Sequence, residues 1–141
     1  MRDLLKDEAC IFCQIVDKKI PSQILFENDT SLAFLDIFPI SNGHTIVIPK
    51  NHYNNLEDIP VDELTDVFKI VKNISSKIYE KLKIDGYNIL QNNFKAAGQI
   101  IDHFHVHIIP RRREDGKFQL IIPREQSKEE ELKKTLKTII E

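Results

Sequence analysis

The chain has 141 residues, of which 41% are hydrophobic and 30% are charged, and its formal net charge at pH 7 is −2. This length suits one domain with its own core, and the small net charge gives no electrostatic reason to expect nucleic acid or a membrane as a partner. No stretch approaches the ~20 apolar residues of a membrane span, and the first residues lack the apolar core of a signal peptide. We therefore expect a cytoplasmic protein.

A short helix is expected over residues 10–16, and it carries the only two cysteines of the chain, Cys10 and Cys13. In a reducing compartment this spacing indicates a metal pair or a redox pair rather than a structural disulfide. The redox alternative is the weaker one, because nothing nearby resembles the βαβ context of a thioredoxin-like site.

Three short strands are expected next. Residues 23–27 and 31–36 have strand character on either side of a turn-forming Asn-Asp pair, and a third strand is expected over residues 44–49 after a loop at 37–43. Consecutive strands with short connections predict an antiparallel meander.

One amphipathic helix is expected over about residues 62–83, stopped by Asp85 and Gly86. Its apolar residues recur at helical spacing and are Leu64, Val67, Phe68, Val71, Ile74, Ile78 and Leu82. Residues 87–91 and the segment after the loop at 92–98 are expected to add two more strands. The helix has one face to bury, which we expect to pack on the sheet.

The C-terminal segment has the pattern of a short capped helix. Ser127 followed by Glu130 is a capping-box pattern, and Leu132, Leu136 and Ile139 recur at helical spacing. The whole pattern predicts an α+β fold in which an antiparallel five-stranded meander sheet packs with one long helix and short terminal helices. We expect a single domain over residues 1–141, with a core at about 10–112 and a C-terminal extension at 113–141.

Residues 103–110 read His-Phe-His-Val-His-Ile-Ile-Pro. Side chains alternate along a strand, so His103, His105 and His107 share one face and the intervening apolar residues share the other. Successive imidazoles on that face lie roughly 6.5 to 7 Å apart at the backbone. This spacing suits either one substrate group or one metal ion held by all three rings.

Three further segments accompany this run, namely Ala-Ala-Gly-Gln-Ile-Ile-Asp at 96–102, Gly-His-Thr-Ile-Val-Ile-Pro-Lys-Asn-His at 43–52, and Ile-Phe-Cys-Gln-Ile-Val at 11–16. Together they resemble the histidine triad (HIT) family of nucleotide hydrolases and transferases, in its bacterial Hint-like branch, over about residues 10–112. The resemblance implies a homodimeric enzyme that acts on purine nucleotides at the α-phosphate of nucleoside phosphoramidates or related nucleotidyl compounds.

The resemblance also implies the catalytic roles. His105, the middle histidine, matches the nucleophile that forms a covalent nucleotidyl-imidazole. An imidazole with a pKa near 6.5 is mostly neutral at pH 7 and can attack without a separate base, and the phosphorylated ring is a good leaving group. His107 and His44 match residues that orient the site or donate to phosphate oxygens.

Substrate contacts are implied at seven positions. Asp36 matches the acidic residue that binds the ribose hydroxyls, since a carboxylate can accept both hydrogen bonds. Fixed donors are needed for the phosphorus oxygens. The base pocket is implied to contain Phe12, Phe34 and Ile37, and the phosphate loop Asn92, Gly98 and Gln99.

Cys10, Cys13, His52 and His103 match a zinc site of bacterial-type members. Two thiolates and two imidazoles suit tetrahedral zinc, and four protein ligands leave no open coordination position, so the implied zinc is structural. This assignment makes His103 a metal ligand rather than a catalytic residue.

The chain departs from the family pattern at two places. Ile100 stands where relatives commonly carry Ser or Thr, and Phe94 and Lys95 stand where they tend to carry Gly and an acidic residue. Both departures leave the preferred leaving group open. Two alternatives also stay open, a dinucleoside polyphosphate hydrolase and a zinc-stabilised nucleotide-binding module with little turnover.

Overall fold

The computed structural model describes residues 4–119 and 122–141, and the predicted α+β class is confirmed there. Apolar alternation forms the strands and the 3.6-residue apolar period forms the long helix. The elements are α1 (Ile11–Val16), β1 (Ile24–Glu27), β2 (Ser31–Leu35), β3 (Thr45–Pro49), α2 (Val61–Lys81), β4 (Gly86–Leu90), a 3₁₀ turn (Lys95–Ala97), β5 (Val106–Arg111) and α3 (Glu129–Ile140).

The five strands form one antiparallel sheet in the order β1-β2-β3-β5-β4. The first three strands form the expected meander, whereas β5 lies between β3 and β4. This order departs from a simple meander and leaves β4 at the edge. It also places the histidine-bearing strand inside the sheet, where both neighbours fix its position.

A helix packs on each face of the sheet. The buried face of α2 packs against Phe104, Val106 and Ile108, which confirms the apolar half of the alternation in the histidine run. On the other face α1 packs against β2 and β3 through Phe12 and its neighbours. The histidines therefore emerge on the α1 side.

The end of α2 differs from the prediction. The helix ends at Lys81, and Lys83 adopts a left-handed conformation with φ of 51° that stops it. Gly86 is the first residue of β4 rather than part of the stop signal. The guanidinium of Arg112 donates to the carbonyls of Leu82 and Lys83 at 2.8 and 3.1 Å, which satisfies acceptors at this helix end.

The predicted capping box at the C-terminus is wrong. Helix α3 begins at Glu129 after Lys128, with no side-chain cap, and the Ser127 hydroxyl donates instead to the Glu131 carboxylate at 3.3 Å. The predicted apolar residues of this helix are all exposed. None of the helices in the described part of the chain combines the length and apolar character that a membrane span requires.

Candidate active site and metal cluster

A cavity of about 410 Å³ lies on the α1 side of the sheet. Most of its wall is apolar, and two imidazoles and one carboxylate contribute polar groups to it. The residues expected from the sequence that line it are Phe12, Phe34, Asp36, Ile37, Gly98, His105 and His107. Of the other expected site residues, His44, Asn92 and Gln99 are not among those that line the cavity, and the four expected zinc ligands form a separate cluster.

The three triad histidines do not converge on one point. His103 lies in a bend and His105 in the irregular segment before β5, and only His107 belongs to the strand itself. His103 faces the cysteines, whereas the other two face the cavity. Among the described residues no metal-capable group contains all three rings. The alternative of one ion held by the whole triad is therefore wrong.

The backbone carbonyl of His103, two residues earlier, holds His105 in one tautomer. Its Nδ1 lies 2.7 Å from the carbonyl oxygen of His103, so Nδ1–H donates there and Nε2 keeps a free lone pair. Burial lowers the pKa of His105, although the carbonyl and the charge of Asp36 act in the opposite direction. The Phe12 ring packs edge-on at 5.2 Å between centroids. The ring is therefore neutral at pH 7 and oriented.

His44 and His107 form a directed hydrogen-bond chain. The backbone N–H of Ile40 donates to His44 Nδ1 at 3.1 Å, so the proton of the neutral His44 ring is on Nε2. His44 Nε2 lies 2.9 Å from His107 Nδ1 and donates to it, which leaves the His107 proton on Nε2. Burial lowers the pKa of both rings, that of His107 to about 4, and both stay neutral.

The position of His44 depends on the glycine before it. Gly43 has a φ of +90°, and a Cβ at this position would lie 2.5 Å from Leu82 Cδ1. The φ of +90° favours glycine, and a larger residue here would also push the end of the Leu82 side chain aside. This requirement explains the Gly-His pair.

Asp36 stands where β2 gives way to the loop beside the cavity. The Phe38 backbone N–H donates to its Oδ1 at 2.8 Å. Its Oδ2 lies 3.7 Å from His44 Nε2 and is the oxygen left to accept from a ligand. The carboxylate is thus fixed in direction before any ligand binds.

The loop before the triad is braced from inside by Gln99. Its Oε1 accepts from the Phe94 backbone N–H at 2.8 Å, and its Nε2 donates to the carbonyls of Asn54 and Ile101 at 2.6 and 3.0 Å. Gly98, with a φ of +91°, lines the cavity together with Ile100 and Ile101 of the same loop. Gln99 therefore supports the loop in this conformation, and a direct phosphate contact from it or from Asn92 stays a prediction.

Cys10, Cys13, His52 and His103 come together, and their ligand atoms all lie within 4.8 Å of one another. Cys10 Sγ lies 3.4 Å from His103 Nδ1, and Cys13 Sγ lies 3.4 Å from His52 Nδ1. Bonds of 2.0 to 2.3 Å to a tetrahedral zinc ion require ligand separations of roughly 3.3 to 3.8 Å. The four atoms thus have the spacing of a zinc site.

Both imidazoles of this cluster present the correct nitrogen. His103 Nε2–H donates to the Pro49 carbonyl at 2.9 Å, and His52 Nε2–H donates to Asn54 Oδ1 at 3.2 Å. The Nδ1 lone pairs therefore face the sulfurs, as metal-bound histidines require. Burial lowers the pKa of His103 to about 4 and raises that of the Cys13 thiol to about 11. A cation in the cluster would take the place of the thiol proton. The donor set fits zinc.

Asp36, His44 and His107 form a second group with metal-capable atoms within 4.8 Å. The Ile40 N–H donates to His44 Nδ1 and so keeps the His44 proton on Nε2. Nε2 is the nitrogen that would have to bind an ion, and a protonated nitrogen cannot do so. This donor set does not fit a metal.

Comparisons with known proteins show which family and which solved structures this chain is similar to. The HIT domain family model matches residues 17–114. Adenosine 5′-monophosphoramidase HNT1 of Saccharomyces cerevisiae is 48% identical over 116 residues, which cover 82% of this chain and 70% of that protein. A HIT family protein from Bacillus anthracis superposes with a TM-score of 0.89 at 35% identity, covering 96% of this chain and 97% of the other. A Zn-bound histidine triad family protein from Mycobacterium smegmatis superposes with a TM-score of 0.75 at 34% identity, covering 94% and 96%.

Proposed function

The chain belongs to the HIT domain family, and we propose that it is a nucleotide hydrolase or nucleotidyl transferase that acts at the α-phosphate of nucleoside phosphoramidates or related nucleotidyl compounds. The observation that carries the proposal is the tautomer of His105, whose Nδ1–H is bonded to its own backbone while Nε2 keeps a lone pair beside the cavity. The relative named as a phosphoramidase supports the reaction class.

In the first step His105 Nε2 attacks the α-phosphorus, a nitrogen–phosphorus bond forms, and the bond to the leaving group breaks. The leaving nitrogen takes a proton from water and departs as the amine, which leaves hydroxide in solution, and the ring becomes a phosphorylated imidazolium. The Nδ1–H bond to the His103 carbonyl then becomes charge-assisted and stabilises that cation. Water attacks phosphorus in the second step, which releases the nucleotide and restores neutral His105.

His107 is the proposed hydrogen-bond donor of the site. The chain from Ile40 through His44 keeps the His107 proton on Nε2, the ring atom opposite the His44 contact. From there it can donate to a phosphorus oxygen or to the leaving nitrogen. A group that donates in the transition state but not in the ground state raises the rate of the chemical step.

The nucleoside is proposed to lie along Asp36 with its base between Phe12, Phe34 and Ile37. The free Oδ2 of Asp36 would accept from the ribose hydroxyls, and the apolar wall would cover a purine ring. Asn92 and Gly98 are proposed to lie beside the phosphate.

Cys10, Cys13, His52 and His103 are proposed to hold a structural zinc ion. A closed four-ligand site contributes folding free energy rather than a reactive water. It would tie α1 to the run that carries His105. The Zn-bound neighbour from Mycobacterium smegmatis supports this proposal.

The chain is further proposed to be a homodimer in the cytoplasm. Strand β4 lies at the edge of the sheet, with Tyr87, Ile89 and Leu90 exposed on it, and an edge of this kind is a template for pairing with another chain. A second copy would satisfy that edge.

The test of the activity is the variant His105→Ala. It should lose turnover of an adenosine phosphoramidate by at least about a thousandfold, because it removes the covalent route. Its Kd for AMP should stay within about threefold of the wild type, because little binding surface is lost. Near-full turnover by this variant would contradict the nucleophile assignment.

A further inference from the structure

Ile100 is 92% exposed, an unusual state for an isoleucine that lines a cavity. Its neighbours hold it there. Gln99 is buried and bonded to three backbone groups, and Ile101 packs into the cluster around Phe12. With the residues on either side anchored, Ile100 cannot turn inward. It presents a fixed apolar surface at the cavity mouth.

Charge is distributed unevenly in this cavity. Among the described residues that line it, Asp36 is the one carboxylate, and His105 and His107 are the basic groups. None of these lining residues is Lys or Arg. A leaving group with several phosphates brings several negative charges, and such groups are bound in proteins by Lys, Arg or metal ions. The cavity offers that kind of group no fixed cation.

The place of Ile100 relative to the nucleoside also matters. The proposed nucleoside contacts come from α1 and the end of β2, whereas Ile100 follows Gly98 on the loop between β4 and β5, and both loop residues line the cavity with His105 and His107. With the nucleoside on the α1 and β2 side of this cavity, the group beyond the α-phosphate would leave past the loop that carries Ile100. A hydroxyl at this position would bond a polar leaving group, and a sec-butyl side chain cannot.

We propose that Ile100 forms an apolar leaving-group subsite, so that this chain prefers nucleotides whose α-phosphate carries an uncharged, carbon-rich amine over those that carry a small polar amine or a polyphosphate. The inference rests on the proposed function and deepens it. Ile100 contacts the chain of the leaving group, not the reacting atoms, so it determines specificity. Burial of a methylene favours binding by roughly fourfold when complete. Half burial at this open rim corresponds to about twofold per methylene.

The experiment compares the wild type with Ile100→Ser on adenosine 5′-phosphoramidates of n-alkylamines from methyl to hexyl. The logarithm of kcat/KM should rise with chain length in the wild type, by about twofold per methylene, and should be nearly flat in the variant. A serine hydroxyl helps every amine in the series equally, so the slope isolates the apolar contact. Val61→Ser is the matched control, since Val61 is 78% exposed at the start of α2 and away from the cavity, and it should keep the wild-type slope.

Binding is measured in parallel with AMP n-alkyl esters, which cannot transfer the nucleotide at a useful rate. Their Kd should fall with chain length in the wild type and not in Ile100→Ser, whether or not the phosphoramidates turn over. A chain-length effect on Kd without turnover would keep the subsite and reject the proposed activity. The subsite would be overturned by equal slopes in wild type and Ile100→Ser, or by a wild-type series that is flat. It would also be overturned if no ester bound, or if a diadenosine polyphosphate were turned over better than the hexyl substrate.

Discussion

Cys13→Ser should remove the zinc ion and much of the stability of the fold. Cys13 is 2% exposed, and its sulfur lies 3.4 Å from His52 Nδ1 and 3.6 Å from His103 Nδ1. Serine keeps the size of the side chain but is a poor zinc ligand at neutral pH, so three ligands remain. The cluster joins α1 to the run before β5, and loss of the ion loosens both.

The size of this effect follows from linkage. A metal present at about a thousand times its Kd stabilises the folded state by about 4 kcal/mol. For a domain of 141 residues, 1 kcal/mol corresponds to a change in Tm of about 4 °C, so the loss should be roughly 15 °C. Thermal unfolding monitored by circular dichroism, with zinc quantified by elemental analysis after chelator-free reducing purification, measures both quantities.

The double variant of Cys10→Ser and Cys13→Ser separates the metal from ordinary packing. Both cysteines act through one ion, so the double variant should be little less stable than either single variant. A chelator should lower the Tm of the wild type and leave that of both single variants unchanged. Additive losses, or a wild-type protein that contains no zinc, would refute the argument that these four side chains are a metal site.

Two further predictions concern the substrate and pH. Asp36→Asn should weaken AMP binding and narrow the preference for ribose over 2′-deoxyribose, since loss of a hydroxyl partner from this partly buried carboxylate costs on the order of 1 kcal/mol. Equal selectivity in both proteins, measured as a ratio of kcat/KM, would rule out the ribose contact. Burial lowers the pKa of His107 to about 4, so its contribution to stability is complete above pH 6.5 and is lost as the pH falls toward 4. His107→Asn should therefore lose less free energy of unfolding than the wild type between pH 7.5 and 5 in denaturant titrations, and parallel losses would contradict the pKa assignment.

The structure of the histidine run was the easiest to predict from the sequence, because the strand period of two determines which residues face the core and which face the site. Phe104, Val106 and Ile108 pack against α2 as that period predicts. The family resemblance predicted that His103 lies beside the cysteines, and the structure brings them together. The chain order alone suggested a simple meander. That β5 inserts between β3 and β4 is decided by long-range pairing, which leaves no local trace.

The groups that orient the site were not predictable from the residues. The Ile40 N–H that fixes the His44 tautomer and the Pro49 carbonyl that fixes the His103 ring are backbone atoms, present at nearly every position of any chain. Gln99 was expected at a phosphate, and a phosphate contact from it stays a prediction. Its hydrogen bonds to the Phe94 N–H and to the carbonyls of Asn54 and Ile101 depend on the folded loop and could not be predicted. The Ser127 pattern failed because the helix begins one residue later than a cap at Ser127 requires, and the Ser127 hydroxyl bonds the Glu131 carboxylate instead.

The most direct test of the central claim is to trap the nucleotide on the protein. Wild-type protein mixed with an adenosine phosphoramidate for less than one turnover, quenched in alkali and analysed by mass spectrometry, should carry one adenylyl group on the peptide that contains His105. His105→Ala treated in the same way should carry none. Adenylylation of a different residue, or complete turnover with no covalent species at any time point, would contradict the account.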